Sequence, residues 1–187
     1  MLFTESELKG SYLIDIEPIE DERGFFGRSF CQREFEAYGL KLCVAQCNIS
    51  FNKKRGTLRG MHFQRPPKAE AKLVRCTRGR IYDVIIDLRP DSPTYCQWIG
   101  VELASSPTTR GSHLAPGYRT LYIPEGFAHG FQTLEDDSEV FYQMFEFYSP
   151  EHASGVRWDD QAFGIKWPLP DPIMSERDRT YPLFVKR

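Results

Sequence analysis

The 187-residue chain has no apolar run near the length of about eighteen residues that a membrane span needs. Its opening stretch, MLFTESELKG, carries charge where a secretory signal would be apolar. Cysteine is sparse and odd in number: Cys31, Cys43, Cys47, Cys76 and Cys96, with no CxxC pair. That argues against a disulfide framework and against a zinc knuckle, and points to free thiols in a reducing, cytoplasmic setting. An excess of one charge is also lacking. With 24 Lys and Arg against 26 Asp and Glu the formal net charge is -2, which leaves no footprint for nucleic acid. Low-complexity tracts and domain linkers are missing as well. What remains is 41% hydrophobic and 14% aromatic residues, enough for one sizeable core spanning 1–187.

The pattern along the chain is that of many short strands. Ser11 to Glu17 alternates apolar and acidic residues at period two, and Val44 to Phe51 alternates again. Asp21 to Gly24 is a turn, followed by an aromatic strand over Gly24 to Phe30. Gln32 to Tyr38, stopped by Gly39, is the best short helix. Lys72 to Thr77 and Arg80 to Leu88 flank Arg78-Gly79 and predict a hairpin. Ser105 to Arg119 predicts a long loop, and Glu139 to Tyr148 a long buried strand. After Pro150 the tail keeps Trp158 and Trp167, so it should pack rather than dangle. Such punctuation by glycine and proline implies an all-β barrel or jelly roll.

Chemistry concentrates in Gly56 to Lys72, GTLRGMHFQRPPKAEAK. Arg59 offers an anion clamp, His62 a base that works near neutral pH, and Lys72 a second cation. Leu58 and Met61 between them turn part of the stretch toward a core. Taken singly, each polar residue has an ordinary explanation. Lys72 at a strand start is usually solvated, Arg23 in a turn is usually surface charge, and Asp178 suits a solvated tail. Tyr142 and Tyr148 suit a core, and His129 a backbone carbonyl. His113 and His152 belong to no motif and are read as surface residues.

The motifs taken together resemble the dTDP-4-dehydrorhamnose 3,5-epimerase family. They are Asp21-Glu22-Arg23-Gly24-Phe25-Phe26, Gln46-Cys47-Asn48-Ile49-Ser50, Leu58-Arg59-Gly60-Met61-His62-Phe63-Gln64 and Lys72-Leu73-Val74-Arg75. Asp87-Leu88-Arg89, Ser92-Pro93-Thr94-Tyr95 and Pro124-Glu125-Gly126-Phe127-Ala128-His129-Gly130-Phe131 follow, then Trp167-Pro168-Leu169 and Ser175-Glu176-Arg177-Asp178. They run in family order over nearly the whole chain. The resemblance implies a cupin-type jelly-roll barrel with short peripheral helices. It implies a cofactor-free and metal-free isomerase that inverts C3, C5 or both in a nucleotide-diphospho-4-keto-6-deoxy sugar. Its partners would be that substrate and a second copy of the chain, with N-terminal strands paired across a homodimer. By the same resemblance His62 is the base, Asp178 orients and charges it, Lys72 steadies the enolate and Tyr142 is the acid. Arg23, Phe25, Arg28, Gln46, Asn48, Arg59, His129 and Tyr148 fall to substrate binding.

The chain also departs from that family. Arg28 stands where a glutamate is usual, Glu70 where a glutamine is usual, and Gln143 where a lysine is frequent; Ala153 lies near another usual glutamate. A carboxylate accepts from thymine N3–H, whereas Arg28 could donate to cytosine N3, so a CDP-linked sugar is an alternative. Other cupins are metal enzymes with several convergent His and acidic ligands. Here His62 is followed by Phe63 and Gln64, and only His129 and Glu70 could join it. A 3,4-ketoisomerase and a non-catalytic sugar-nucleotide-binding cupin are further rivals. The set His62, Lys72, Tyr142 and Asp178 argues against the latter, because binding alone needs no base and acid.

Overall fold

The computed structural model describes residues 1–40, 43–106, 108–110, 113–115 and 117–186, with backbone only at 108–110 and 113–115. In chain order the first strands are β1 (Leu2–Glu5), β2 (Tyr12–Asp15), β3 (Ile19–Asp21) and β4 (Gly24–Phe26), followed by helix α1 (Gln32–Ala37). The central ones are β5 (Gln46–Asn52), β6 (Leu58–Gln64), β7 (Lys72–Arg78), β8 (Arg80–Asp87) and β9 (Trp98–Ala104). Then come β10 (Thr108–Arg110), β11 (His113–Ala115), β12 (Thr120–Ile123), β13 (Phe127–Thr133), β14 (Ser138–Met144) and β15 (Ala153–Gly155). Helix α2 (Glu176–Arg179) lies near the end.

Six strands form one sheet in the order β1-β2-β12-β7-β14-β5, and five form another in the order β15-β6-β13-β8-β9. The expected all-β jelly roll with short outlying helices is therefore what the chain adopts. Strand alternation decides which side chains meet between the sheets. Val74 and Cys76 of β7, Leu121 and Ile123 of β12 and Val140 of β14 form one buried cluster with Ile81 and Ile85 of β8 and Phe127 and Phe131 of β13. The alternate residues of the five-stranded sheet face the other way. Val84, Ile86 and Ala128 pack under Val156 and Phe163 of the C-terminal segment, with Trp167 and Phe184 against them. Trp98 Nε1 donates to the Phe163 carbonyl at 2.9 Å and Trp167 Nε1 to the Trp158 carbonyl at 2.9 Å, so the tail packs as expected.

Four local expectations need correction. β7 and β8 do not form a hairpin: β7 runs between β12 and β14, and β8 between β13 and β9, in different sheets. Gly79, at φ 74°, turns a corner between them. Both strands are buried on both faces, so each requires neighbours on both edges, and apolar content alone cannot separate a hairpin from a sheet-switching corner. Ser105 to Arg119 is not all loop, because β10 and β11 pair within it, with Thr108 opposite Ala115. Residues 107, 111, 112 and 116 of that segment, and the His113 side chain, lie outside the described residues. The strand expected over Glu139 to Tyr148 ends at Met144, where Glu146 Oε1 accepts the Phe147 N–H at 2.7 Å in place of a ladder bond. The aromatic strand expected to run to Phe30 stops at Phe26, in an exposed β3-β4 hairpin.

Candidate active site

The site is built on β6, and β6 is not a regular strand. Opposite β13, His62 faces His129 while Arg59 faces Phe131, so three steps on β6 meet two on β13. A strand with an extra residue resets its alternation. Arg59 and His62 consequently both line one cavity, although a three-residue spacing would put them on opposite faces of an unbroken strand. Glycine makes the bulge possible. Gly60 has φ 145°, and an added Cβ would lie 2.5 Å from Gly130 Cα.

A cavity of about 510 Å³ opens there. Arg59 and His62 line it from β6, Lys72 from β7, His129 from β13 and Tyr142 from β14, with Tyr148 just beyond β14. Six residues scattered over the sequence thus share one wall system. His62 Nε2 lies 2.8 Å from Asp178 Oδ1. Asp178 is 5% exposed and sits in α2, where Ser175 Oγ accepts its backbone N–H. The Gly60 N–H donates to Asp178 Oδ2 at 3.3 Å. Burial opposes ionisation of this carboxyl, yet the hydrogen bond from His62, its charge, and the Gly60 and Ser175 contacts together hold it below the usual aspartate range. The carboxylate is therefore available to orient the ring and to stabilise it when charged. Burial pushes the Tyr142 phenol above its ordinary value, with Arg59 opposing, so Tyr142 keeps its proton at neutral pH.

Of the remaining residues expected from the sequence, Asn48 lies opposite Tyr142 and Gln46 opposite Met144 in the β5-β14 ladder. Gln46 Oε1 accepts the Tyr148 N–H at 2.5 Å. The Asn48 amide nitrogen is buried without a partner. Arg59 Nε donates to Asn52 Oδ1 at 2.7 Å. Gln46 and Asn48 stand beside this cavity without lining it, and Arg23, Phe25 and Arg28 do not line it either. Arg23 pairs with Asp21 on the exposed hairpin, and Arg28, 60% exposed, pairs with Glu34 at 3.0 Å. His152 is a half-buried residue whose Nδ1 lies 2.8 Å from Ser149 Oγ, which corrects the surface reading.

Sequence reasoning missed two participants. Asp83 is fully buried with Oδ1 2.6 Å from His129 Nε2, forming a second histidine–aspartate pair across β8 and β13. Its signal was an acid inside a strand otherwise buried on both faces. Arg177 lines the cavity from α2, its guanidinium 5.8 Å from the Tyr181 ring; nothing in a short, charged tail helix distinguishes it from a surface arginine. Among the described residues no three His, Cys, Asp or Glu side chains converge as a metal cage. No helix there is long and apolar enough to cross a membrane.

The family model for dTDP-4-dehydrorhamnose 3,5-epimerase matches residues 5–186. The chain is 44% identical over 182 residues to the dTDP-4-dehydrorhamnose 3,5-epimerase of Methanothermobacter thermautotrophicus, covering 96% of this chain and 92% of that one. It is 40% identical over 186 residues to the same enzyme of Salmonella typhimurium, with 98% and 96% covered. Among solved structures, the dTDP-4-dehydrorhamnose 3,5-epimerase of Bacillus anthracis with TDP and pyrophosphate bound superposes with a TM-score of 0.90 at 40% identity. That match covers 98% of this chain and 99% of the other.

Proposed function

The chain belongs to the dTDP-4-dehydrorhamnose 3,5-epimerase family, and from that premise we propose that it inverts C3 and C5 of a dTDP-4-keto-6-deoxyhexose with His62 as base and Tyr142 as acid. The observation that carries the assignment of roles is the sharing of one cavity by the Asp178-backed His62 ring, the Lys72 ammonium and a protonated phenol.

A hydrogen beside a ketone is only weakly acidic. Its removal needs a base in contact and a cation or donor on the oxygen that takes the charge. With Nε2–H donating to Asp178, the Nδ1 of His62 is left to accept the proton. The C–H electrons form the enolate double bond, and the former carbonyl electrons move onto O4, where Lys72 donates. Return of those electrons lets the carbon take a proton from Tyr142 on the opposite ring face. The configuration is thereby inverted. His62 and Tyr142 recover their starting states by proton exchange with solvent. Arg59, with its planar fork, suits the diphosphate. His129, Gln46, Asn48 and Tyr148 complete the binding of the nucleotide sugar.

Arg23, Phe25 and Arg28 act on the cavity of a second copy in a homodimer. Two features support this: the exposed apolar pair at the open end of the β3-β4 hairpin, Ile19 opposite Phe26 and each 70% exposed, and β5 as an edge of its sheet. The five free cysteines suit a reducing cytoplasm. The test is NMR of the purified protein in D2O with dTDP-4-keto-6-deoxyglucose and its CDP counterpart. Deuterium should enter C3 and C5 of the dTDP sugar with inversion. No exchange at either carbon would sink the epimerase reading, and preferred use of the CDP sugar would reassign the nucleotide.

A further inference from the structure

Among the described residues of the cavity wall, Glu70 and Ser50 are not used by the proposed reaction and have incomplete bonding, and Glu70 is the charged one of the two. Its side chain is 4% exposed, and Oε1 lies 2.8 Å from Lys72 Nζ, itself only 10% exposed. The other oxygen, Oε2, is buried with no partner. A carboxylate offers about four acceptor positions, so one lysine contact leaves it far from satisfied. A buried acceptor without a donor is costly, and native structures tolerate it chiefly where a missing group completes it. Both Glu70 and Lys72 line the cavity. The wall therefore presents a cationic donor and an anionic acceptor side by side.

That pair matches one chemical group closely. An α-hydroxyketone carries an acceptor, the carbonyl oxygen, beside a donor, the hydroxyl on the neighbouring carbon. We propose that Glu70 is a specificity-determining residue that accepts a hydrogen bond from the hydroxyl vicinal to the substrate ketone while Lys72 donates to the ketone oxygen. In a 4-keto-6-deoxyhexose that hydroxyl is on C3, because C5 bears the ring oxygen and the methyl group. The contact fixes which edge of the ring meets Lys72 and disfavours sugars that lack the C3 hydroxyl. An unpaired buried carboxylate in the bound complex is the physical source of that discrimination. The proposal rests on the epimerase reading above.

The test uses the C5 position, which both sugars possess. Wild type and Glu70→Gln are given dTDP-4-keto-6-deoxyglucose and its 3-deoxy counterpart in D2O, and kcat/KM for deuterium entry at C5 is followed by NMR. Wild type should favour the hydroxylated sugar by at least about tenfold, the scale of a charge-assisted hydrogen bond. In Glu70→Gln, which keeps the size but loses the charge, that preference ratio should fall about tenfold. A variant ratio within about twofold of wild type would show that Glu70 acts only through Lys72 or on the fold, and would overturn the proposal. Should the variant fail to fold, the wild-type ratio decides alone, and a value near one overturns it. Absence of exchange with either sugar would fell the epimerase reading first and this proposal with it.

Discussion

His62 is held by a carboxylate that is itself held by a backbone N–H and a helix cap, so the base arrives with one ring nitrogen committed. His62→Ala should lower kcat/KM for proton exchange by about 10²–10⁴-fold, as loss of a general base does, while the circular dichroism spectrum stays that of wild type. Near-normal exchange would move the base elsewhere, with His129 next in line. Asp178 also makes a stability prediction whose sign follows from its depressed carboxyl. A group with a lowered folded value stabilises fully above its unfolded value, about 3.9 for aspartate, and stops doing so as pH falls through the lower folded value. Wild type should therefore be more stable than Asp178→Asn at about pH 6, by about 1–3 kcal/mol, and the gap should shrink as pH falls below about 3.9. A gap that persists in acid would mean that packing, not ionisation, separates the two. Tyr142→Phe keeps the aromatic ring and removes the donor. It should still wash deuterium into the sugar with the original configuration retained, while the inverted product forms far more slowly. Product stereochemistry by NMR reads this directly, and full-speed inversion would leave Tyr142 a core aromatic.

At the scale of the element, β6 decides the site. Its bulge against β13 brings Arg59 and His62 to the same side, and Gly60 packs so closely on Gly130 that no side chain fits between them. Gly60→Ala should cost about 1–3 kcal/mol through the positive φ and the backbone clash together, read from the urea midpoint. It should also lower exchange activity, because relief of the clash moves the backbone that donates to Asp178. A stable variant with a wild-type rate would show the bulge to be dispensable. Helix α2 matters for a related reason: only four residues long, it carries Arg177 to the cavity wall and Asp178 to the His62 ring.

At the scale of the whole molecule the proposed second copy makes its own prediction. Of the expected binding residues outside the lining of the chain's own cavity, Arg23, Phe25 and Arg28 lie on or just after the hairpin that exposes Ile19 and Phe26. Exposed apolar surface of this kind is unusual for a monomer when it is clustered. Sedimentation equilibrium should give a dimer, and Phe26→Glu should shift it toward monomer with a parallel fall in epimerase activity. A monomeric wild type with full activity would remove the hairpin from the site.

Much of this is legible in the sequence. Period-two alternation marked β2 and β5, and Gly39 marked the end of α1, because these follow from local backbone geometry. The motif order also carried the family, since His62, Lys72 and Tyr142 occur in recognisable neighbourhoods. What alternation could not decide is which strand a neighbour in sequence will pair with: β7 and β8 are contiguous yet lie in different sheets, because pairing is settled by long-range burial on both edges. Nor could it bring Asp178 to His62, or join Asp83 to His129 and Glu70 to Lys72. The first two are unions across 116 and 46 positions. The third spans two, but only folding buries it, and the same acid–lysine spacing on an exposed strand would be two solvated charges.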